Sequence, residues 1–187
     1  MLASSAVALH FVRTTILARA RLRSVLAAIS DVHYPGTRSA RWQGDEVRGQ
    51  YMFDNGSGDR LVLAWSNAGL VGLVFGHESE RSEYGKDDPR PLQWLSDLPD
   101  RLRPLALEVA SELDDLATAG LWLEGDGEAR LSDPVVAGTN WANGAEMFVG
   151  LGMTAEDAMF GSNGQNWAEL ASVSRAQAEL ACRLADA

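Results

Sequence analysis

One cysteine, one lysine and three histidines are all that this 187-residue chain holds of three chemically versatile side chains. Cys182, alone, cannot close an intramolecular disulfide or supply the paired thiolates of a structural zinc site. That scarcity fits a reducing compartment, and the expected location is the cytoplasm. Cys182 lies in a helical stretch among Ala178, Leu180, Ala181 and Leu184, where a free cysteine reads as a small core residue. His10 and His33 have no spaced partner that would make a ligand pair, and the zinc motif built on two helical histidines is absent.

Phosphate cradles are missing as well. Gly150-Leu151-Gly152 and Gly161-Ser162-Asn163-Gly164 are glycine-rich, but no Lys-Ser/Thr follows them and neither belongs to a strand–Gly-x-Gly-x-x-Gly–helix unit. No Gly-x-Ser-x-Gly nucleophile elbow occurs. No motif therefore calls for a cofactor or a metal, and no catalytic residue is assigned. No run of about eighteen apolar residues exists, so no membrane span is expected.

What the chain has is negative charge. Its formal net charge is −10 and its pI about 4.7. Such a surface repels nucleic-acid phosphates and suits a basic protein partner. The first thirty residues run against this trend. They hold Arg13, Arg19, Arg21 and Arg23 and no acid, which leaves −14 for the remainder. An acid-free, arginine-bearing start is the composition of a transit peptide, and equally of a helix docking on an acidic body. The second reading is preferred because Phe11, Ala18, Leu22, Val25 and Ile29 form one stripe at helical spacing. The abundance of Ala, Arg and Gly, with Lys86 the one lysine, suits a high-GC bacterium.

The same spacing predicts a helix over about 4–30, with Val7 and Thr15 in its seam, ended by Tyr34-Pro35-Gly36. An antiparallel meander follows. Val47–Phe53, Arg60–Trp65 and Leu70–Phe75 read as strands, joined by Asp54–Asp59 and by Ser66-Asn67-Ala68-Gly69. The last two strands are apolar nearly throughout, which predicts cover on both faces. Leu102, Leu105, Val109, Leu113 and Leu116 predict a second helix over about 99–118. Leu121–Glu124 reads as a short strand, Thr154 as the cap of a short helix, and 165–186 as one or two terminal helices. The expected fold is α+β in a single domain over 1–187: an antiparallel sheet of three to five strands packed by a long N-terminal helix, a central helix and C-terminal helices.

Between 76 and 91 the chain is polar, with two prolines and five acids, which predicts an exposed loop. Its candidate partner-binding residues are His77, Glu78, Glu80, Glu83, Asp87 and Asp88. Here His77 can serve as a general base oriented by Glu78 or Glu80, and the carboxylates can gather a hard cation. A solvated acidic loop at a strand end explains the same residues without chemistry. Asp54–Asp59 has the look of a calcium loop but lacks the EF-hand spacing and its downstream glutamate, and a hairpin turn accounts for Asn55-Gly56. Six tryptophans, Trp42, Trp65, Trp94, Trp122, Trp141 and Trp167, read mostly as part-buried anchors.

Over residues 53–80 the chain resembles the core of the SUKH superfamily. The parallel elements are Gly58-Asp59, Leu61-Val62-Leu63, Gly69, Val71–Phe75 and His77-Glu78. The stretch is under a sixth of the chain, and a Gly-Asp pair before a strand is common in hairpins. The resemblance implies a role like that of bacterial immunity proteins, which bind and neutralise toxin domains. With the charge, it makes a non-enzymatic protein-binding module the expected function. Two alternatives stand beside it: a small hydrolase or metal-dependent enzyme centred on His77, Glu78 and Glu80, and a structural or oligomeric component using the N-terminal helix.

Overall fold

The structure is a computed structural model that describes residues 9–31, 39–79, 81–82, 97–132, 145–160, 166–171 and 173–185. Helix α1 spans Arg13–Asp31. Four strands follow: β1 Ser39–Gly44, β2 Gly49–Asp54, β3 Arg60–Ser66 and β4 Gly69–Phe75. After a 3₁₀ turn at Asp100–Leu102 come α2 Arg103–Ser111, β5 Ala119–Glu124 and β6 Arg130–Leu131. A 3₁₀ turn at Ala145–Phe148 leads into α3 Val149–Gly152, α4 Ala155–Phe160, α5 Trp167–Leu170 and α6 Arg175–Ala185.

Among the described residues the six strands form one sheet in chain order, each antiparallel to the next. The α+β class and the antiparallel meander are as expected, with one strand more than the upper limit. β1 went unread because its pairing residues, Arg41, Gln43 and Gly44, are exposed, so Ser39–Gly44 lacks an apolar run. β6 is only two residues long.

Successive strand residues point to opposite faces, and both faces are covered. Tyr51, Phe53, Leu61, Leu63, Trp65, Leu70, Val74, Leu121 and Leu123 pack under α1 with Ile16, Leu17 and Phe148. Val62, Ala64, Val71, Leu73, Phe75 and Trp122 pack against α2 through Leu102, Leu105, Val109 and Leu113. That double cover is why β3 and β4 are apolar at nearly every position. Each large side chain so buried contributes about 1.5–3 kcal/mol relative to exposure.

Two helices differ from expectation. Residues 9–12 precede α1: the His10 N–H donates to the Gly152 carbonyl (2.7 Å), the Ala129 N–H donates to the Phe11 carbonyl (2.7 Å), and Val12 bridges Glu128. Phe11 is thus buried from an extended segment, and the buried face of α1 is Ile16, Leu17, Ala20, Leu22 and Leu26. Of the expected stripe Leu22 is buried, whereas Ala18, Val25 and Ile29 lie at its margin, half-buried. The Tyr34-Pro35-Gly36 terminator falls outside the described residues.

The central helix stops at Ser111, although its apolar seam continues to Leu116. Asp114 and Asp115 both take left-handed conformations (φ 53° and 60°), which aspartate tolerates better than most side chains. The Asp115 N–H closes the turn on the Ala110 carbonyl (3.0 Å). Leu113 stays fully buried through this turn, so the seam persists without the helix. Thr154 caps α4 as expected, its Oγ1 accepting from the Asp157 N–H (3.1 Å).

Candidate functional site

The antiparallel register gathers several loops at one pole of the sheet. Asp54 ends β2 opposite Arg60, which opens β3 opposite Phe75 at the end of β4. Thr118, just before β5, joins them. Its N–H donates to the Val74 carbonyl (2.6 Å) and its Oγ1 accepts from the Gly76 N–H (3.0 Å). The turns Asp54–Asp59, Gly76–Ser79 and Leu113–Thr118 therefore emerge side by side from one rigid edge.

The Asp54–Asp59 segment is a self-bonded turn. Asp54 Oδ1 accepts from the Gly56 N–H (2.7 Å). Asn55 Oδ1 accepts from the N–H groups of Ser57 and Asp59 (2.7 and 3.1 Å). Gly56 and Gly58 have φ of 77° and 102°, so the turn reading holds. It is also tied to the next loop, because Asp59 Oδ1 accepts from the His77 N–H (2.8 Å). A Cβ on Gly58 would stand 3.2 Å from that of His77. The ring of His77 meets Phe75 edge-on, with centroids 6.2 Å apart.

His77 and Glu78 are therefore placed by the sheet, and both are exposed. Glu80, Glu83, Asp87 and Asp88 lie outside the described residues. Other carboxylates join the two. Asp114 and Asp115 are exposed on their left-handed turn, and Asp114 reaches Arg60 at 3.3 Å. Glu146 is half-buried near Asp59. Burial raises its carboxyl above the ordinary value, and the charge of Asp59 pushes the same way. The pole thus presents Asp54, Asp59, Glu78, Asp114, Asp115 and Glu146 against Arg60 and Arg81. Asp114 and Asp115 were missed from sequence because an apolar seam ran through them as if through a helix. Asp54 and Asp59 were read only as turn residues.

As chemistry, this is an open anionic surface. Among the described residues no three His, Cys, Asp or Glu converge on a possible metal. Also among them, no helix is long and apolar enough to cross a membrane.

The opposite pole has a different build. A cleft of about 700 Å³ lies there between the start of α1, the β1–β2, β3–β4 and β5–β6 turns and the end of α6. Trp42, Arg21, Glu46 and Asp126 are among the residues lining it. Arg13 crosses its wall and donates to the carbonyls of Ser66, Glu46 and Val47 (2.7, 2.9 and 3.2 Å). Trp65 Nε1 donates to the Asp45 carbonyl (2.6 Å), and the Asp45 carboxylate accepts from the N–H groups of Val47 and Arg48 (2.8 and 2.9 Å).

No family model matches the chain, and no curated protein or solved structure matches it either.

Proposed function

We propose that this chain is a non-enzymatic protein-binding module whose acidic pole meets a basic partner. One observation carries the reading: the sheet register brings carboxylates from four separate segments to one rigid edge. Complementary charge of this kind raises association rates and selects partners by sign. The resemblance over 53–80 makes a toxin domain the partner class to try first, with the chain as its immunity-type inhibitor. Glu80, Glu83, Asp87 and Asp88 follow His77-Glu78 directly in sequence and extend the same proposal.

The enzymatic alternative needs His77 and Glu78 in a walled cleft, whereas both side chains are exposed on a turn. An oligomer built on the N-terminal helix needs its apolar stripe outside, whereas Ile16, Leu17, Ala20, Leu22 and Leu26 are buried within the chain.

The test is affinity capture from native lysate, at low and high salt, with the wild-type chain and with a Glu78→Lys/Asp114→Lys/Asp115→Lys variant. The expected result is a basic protein held by wild type at low salt, shed at high salt, and not held by the variant. Equal retention by both chains overturns the reading.

A further inference from the structure

We propose that the cleft beside the start of α1 binds a short peptide with free ends: Glu46 and Asp126 take its ammonium, Arg21 its carboxylate, and Trp42 its middle side chain. At about 700 Å³ the cleft falls within the range of small-ligand sites, roughly 300–1,000 Å³. Its walls are braced without a ligand. Arg13 ties the β1–β2 and β3–β4 turns to α1 through the carbonyls of Glu46, Val47 and Ser66. The β5–β6 segment is tied to the same end, since the Ala129 N–H donates to the Phe11 carbonyl and Glu128 bridges Val12. Trp42 is backed by the buried ring of Trp65, with centroids 4.5 Å apart, and its Nε1 donates to the Gly44 carbonyl (3.2 Å). An aromatic platform held in this way loses little freedom when a ligand stacks on it.

The charged groups of the cleft divide into two sets. Arg13 and Asp45 are bonded to backbone and hold the turns. Arg21, Glu46 and Asp126 line the cleft and make no side-chain hydrogen bond or ion pair among the described residues. This second set is polarised along α1. The bond from Arg13 to the Glu46 carbonyl puts Glu46 beside the first turn of the helix, and the contacts of Glu128 and Ala129 bring the Gly125-Asp126 turn to the same end. Arg21 follows Arg13 on the same helix, about 12 Å further along its axis at 1.5 Å per residue. Trp42 stands on β1, inward of the Gly44–Gly49 pair that closes the β1–β2 turn, by about 7 Å of strand. The indole therefore lies between the two charged ends, with Leu17 and Ala18 beside it on the cleft wall. At one end two carboxylates outnumber the guanidinium of Arg13, and at the other stands Arg21. A purely anionic ligand leaves Glu46 and Asp126 opposed, and a purely cationic one leaves Arg21 opposed, so the arrangement selects a ligand with both charges. A single amino acid is too short to reach both ends. Three residues of extended chain span about 10–11 Å, and the reach of the side chains closes the rest.

The experiment is calorimetric titration of the full chain with the tripeptide Ala-Phe-Ala in four forms: free, N-acetylated, C-amidated, and with Phe replaced by Ala. The free peptide should bind, and each cap should weaken binding about tenfold by removing one charge-assisted contact. Loss of the ring should weaken it by a similar factor, for want of stacking on Trp42. No binding of free Ala-Phe-Ala at millimolar concentration, or equal affinity for all four forms, overturns the proposal. These comparisons use the unaltered chain and so decide even where a variant fails to fold. The variants then assign the ends. Arg21→Gln should weaken the free peptide about tenfold and become indifferent to C-amidation while still sensing N-acetylation, and Glu46→Gln/Asp126→Asn should do the reverse. An Arg21→Gln chain that senses both caps as wild type does overturns it.

Discussion

The two poles of the sheet each bond some charge to backbone, and they differ in what else they present. At the cleft pole the guanidinium of Arg13 is bonded to three carbonyls, and the carboxylate of Asp45 to two amides. At the acidic pole Glu78 and Asp115 take no side-chain partner among the described residues, and Asp114 has only the exposed contact with Arg60. Charge bonded to backbone holds turns in place. Charge left facing water contributes little to stability and remains open to a partner. Asp54 and Asp59 hold the turn at the acidic pole in the same way, so what sets that pole apart is its exposed Glu78, Asp114 and Asp115.

Substitutions that probe this contrast are expected to fall in a definite order. The largest effect is expected at Gly49, at the cleft pole, where a Cβ would collide with the Gln43 carbonyl and the Trp65 ring. Gly49→Ala should cost about 2–3 kcal/mol, as overpacking does. At the acidic pole, Gly58→Ala meets only the His77 side chain and a positive φ, and should cost about 1 kcal/mol. Urea titrations of the two variants measure the difference, and equal costs would break the contrast.

Next comes Arg13→Ala, expected to lose about 2 kcal/mol because it strips a charged donor from carbonyls at the cleft wall. The Glu78→Lys/Asp114→Lys/Asp115→Lys variant should stay within about 1 kcal/mol of wild type by thermal melting, as exposed charges do. A smaller effect of opposite sign is expected for Asp115→Gly. Relief of its left-handed backbone should raise stability by about 0.5–1 kcal/mol.

Glu146 gives a pH-dependent test. Its raised carboxyl binds the proton more tightly folded than unfolded. Its contribution to stability is therefore complete below its ordinary value of 4.5 and is lost as pH climbs through the raised value. Glu146→Gln should melt higher than wild type at pH 7, with the gap closing below pH 4.5. A gap of the same size at both pH values would show that Glu146 does not titrate as its burial requires.

Legibility from sequence followed the density of apolar pattern. β2, β3 and β4 were readable within two residues at each end, since both the double cover and the Asn-Gly turn leave marks in residue type. β1 was not, because only Ala40 and Trp42 of this edge strand face the core and its other residues are exposed, which leaves the alternation too short to read. The end of α2 was misread because Leu113 and Leu116 keep helical spacing in a turn. Spacing records which side chains are apolar, and Leu113 is buried by either backbone. Half of the candidate site was hidden for a related reason: His77-Glu78 and Asp114-Asp115 are neighbours only through the β4–β5 pairing. No local motif encodes that adjacency.

The alternation of side chains along β3 and β4 also bears on how this sequence can change. Leu61 and Leu63 belong to one interior cluster, and Val62 and Ala64 to another. The sheet thus works as a partition between two independent packing problems. Substitutions on opposite sides should combine additively, whereas those on one side should couple. A lineage can then redesign the layer over α2 without renegotiating the layer under α1, and each half of the interior is free to drift at its own pace.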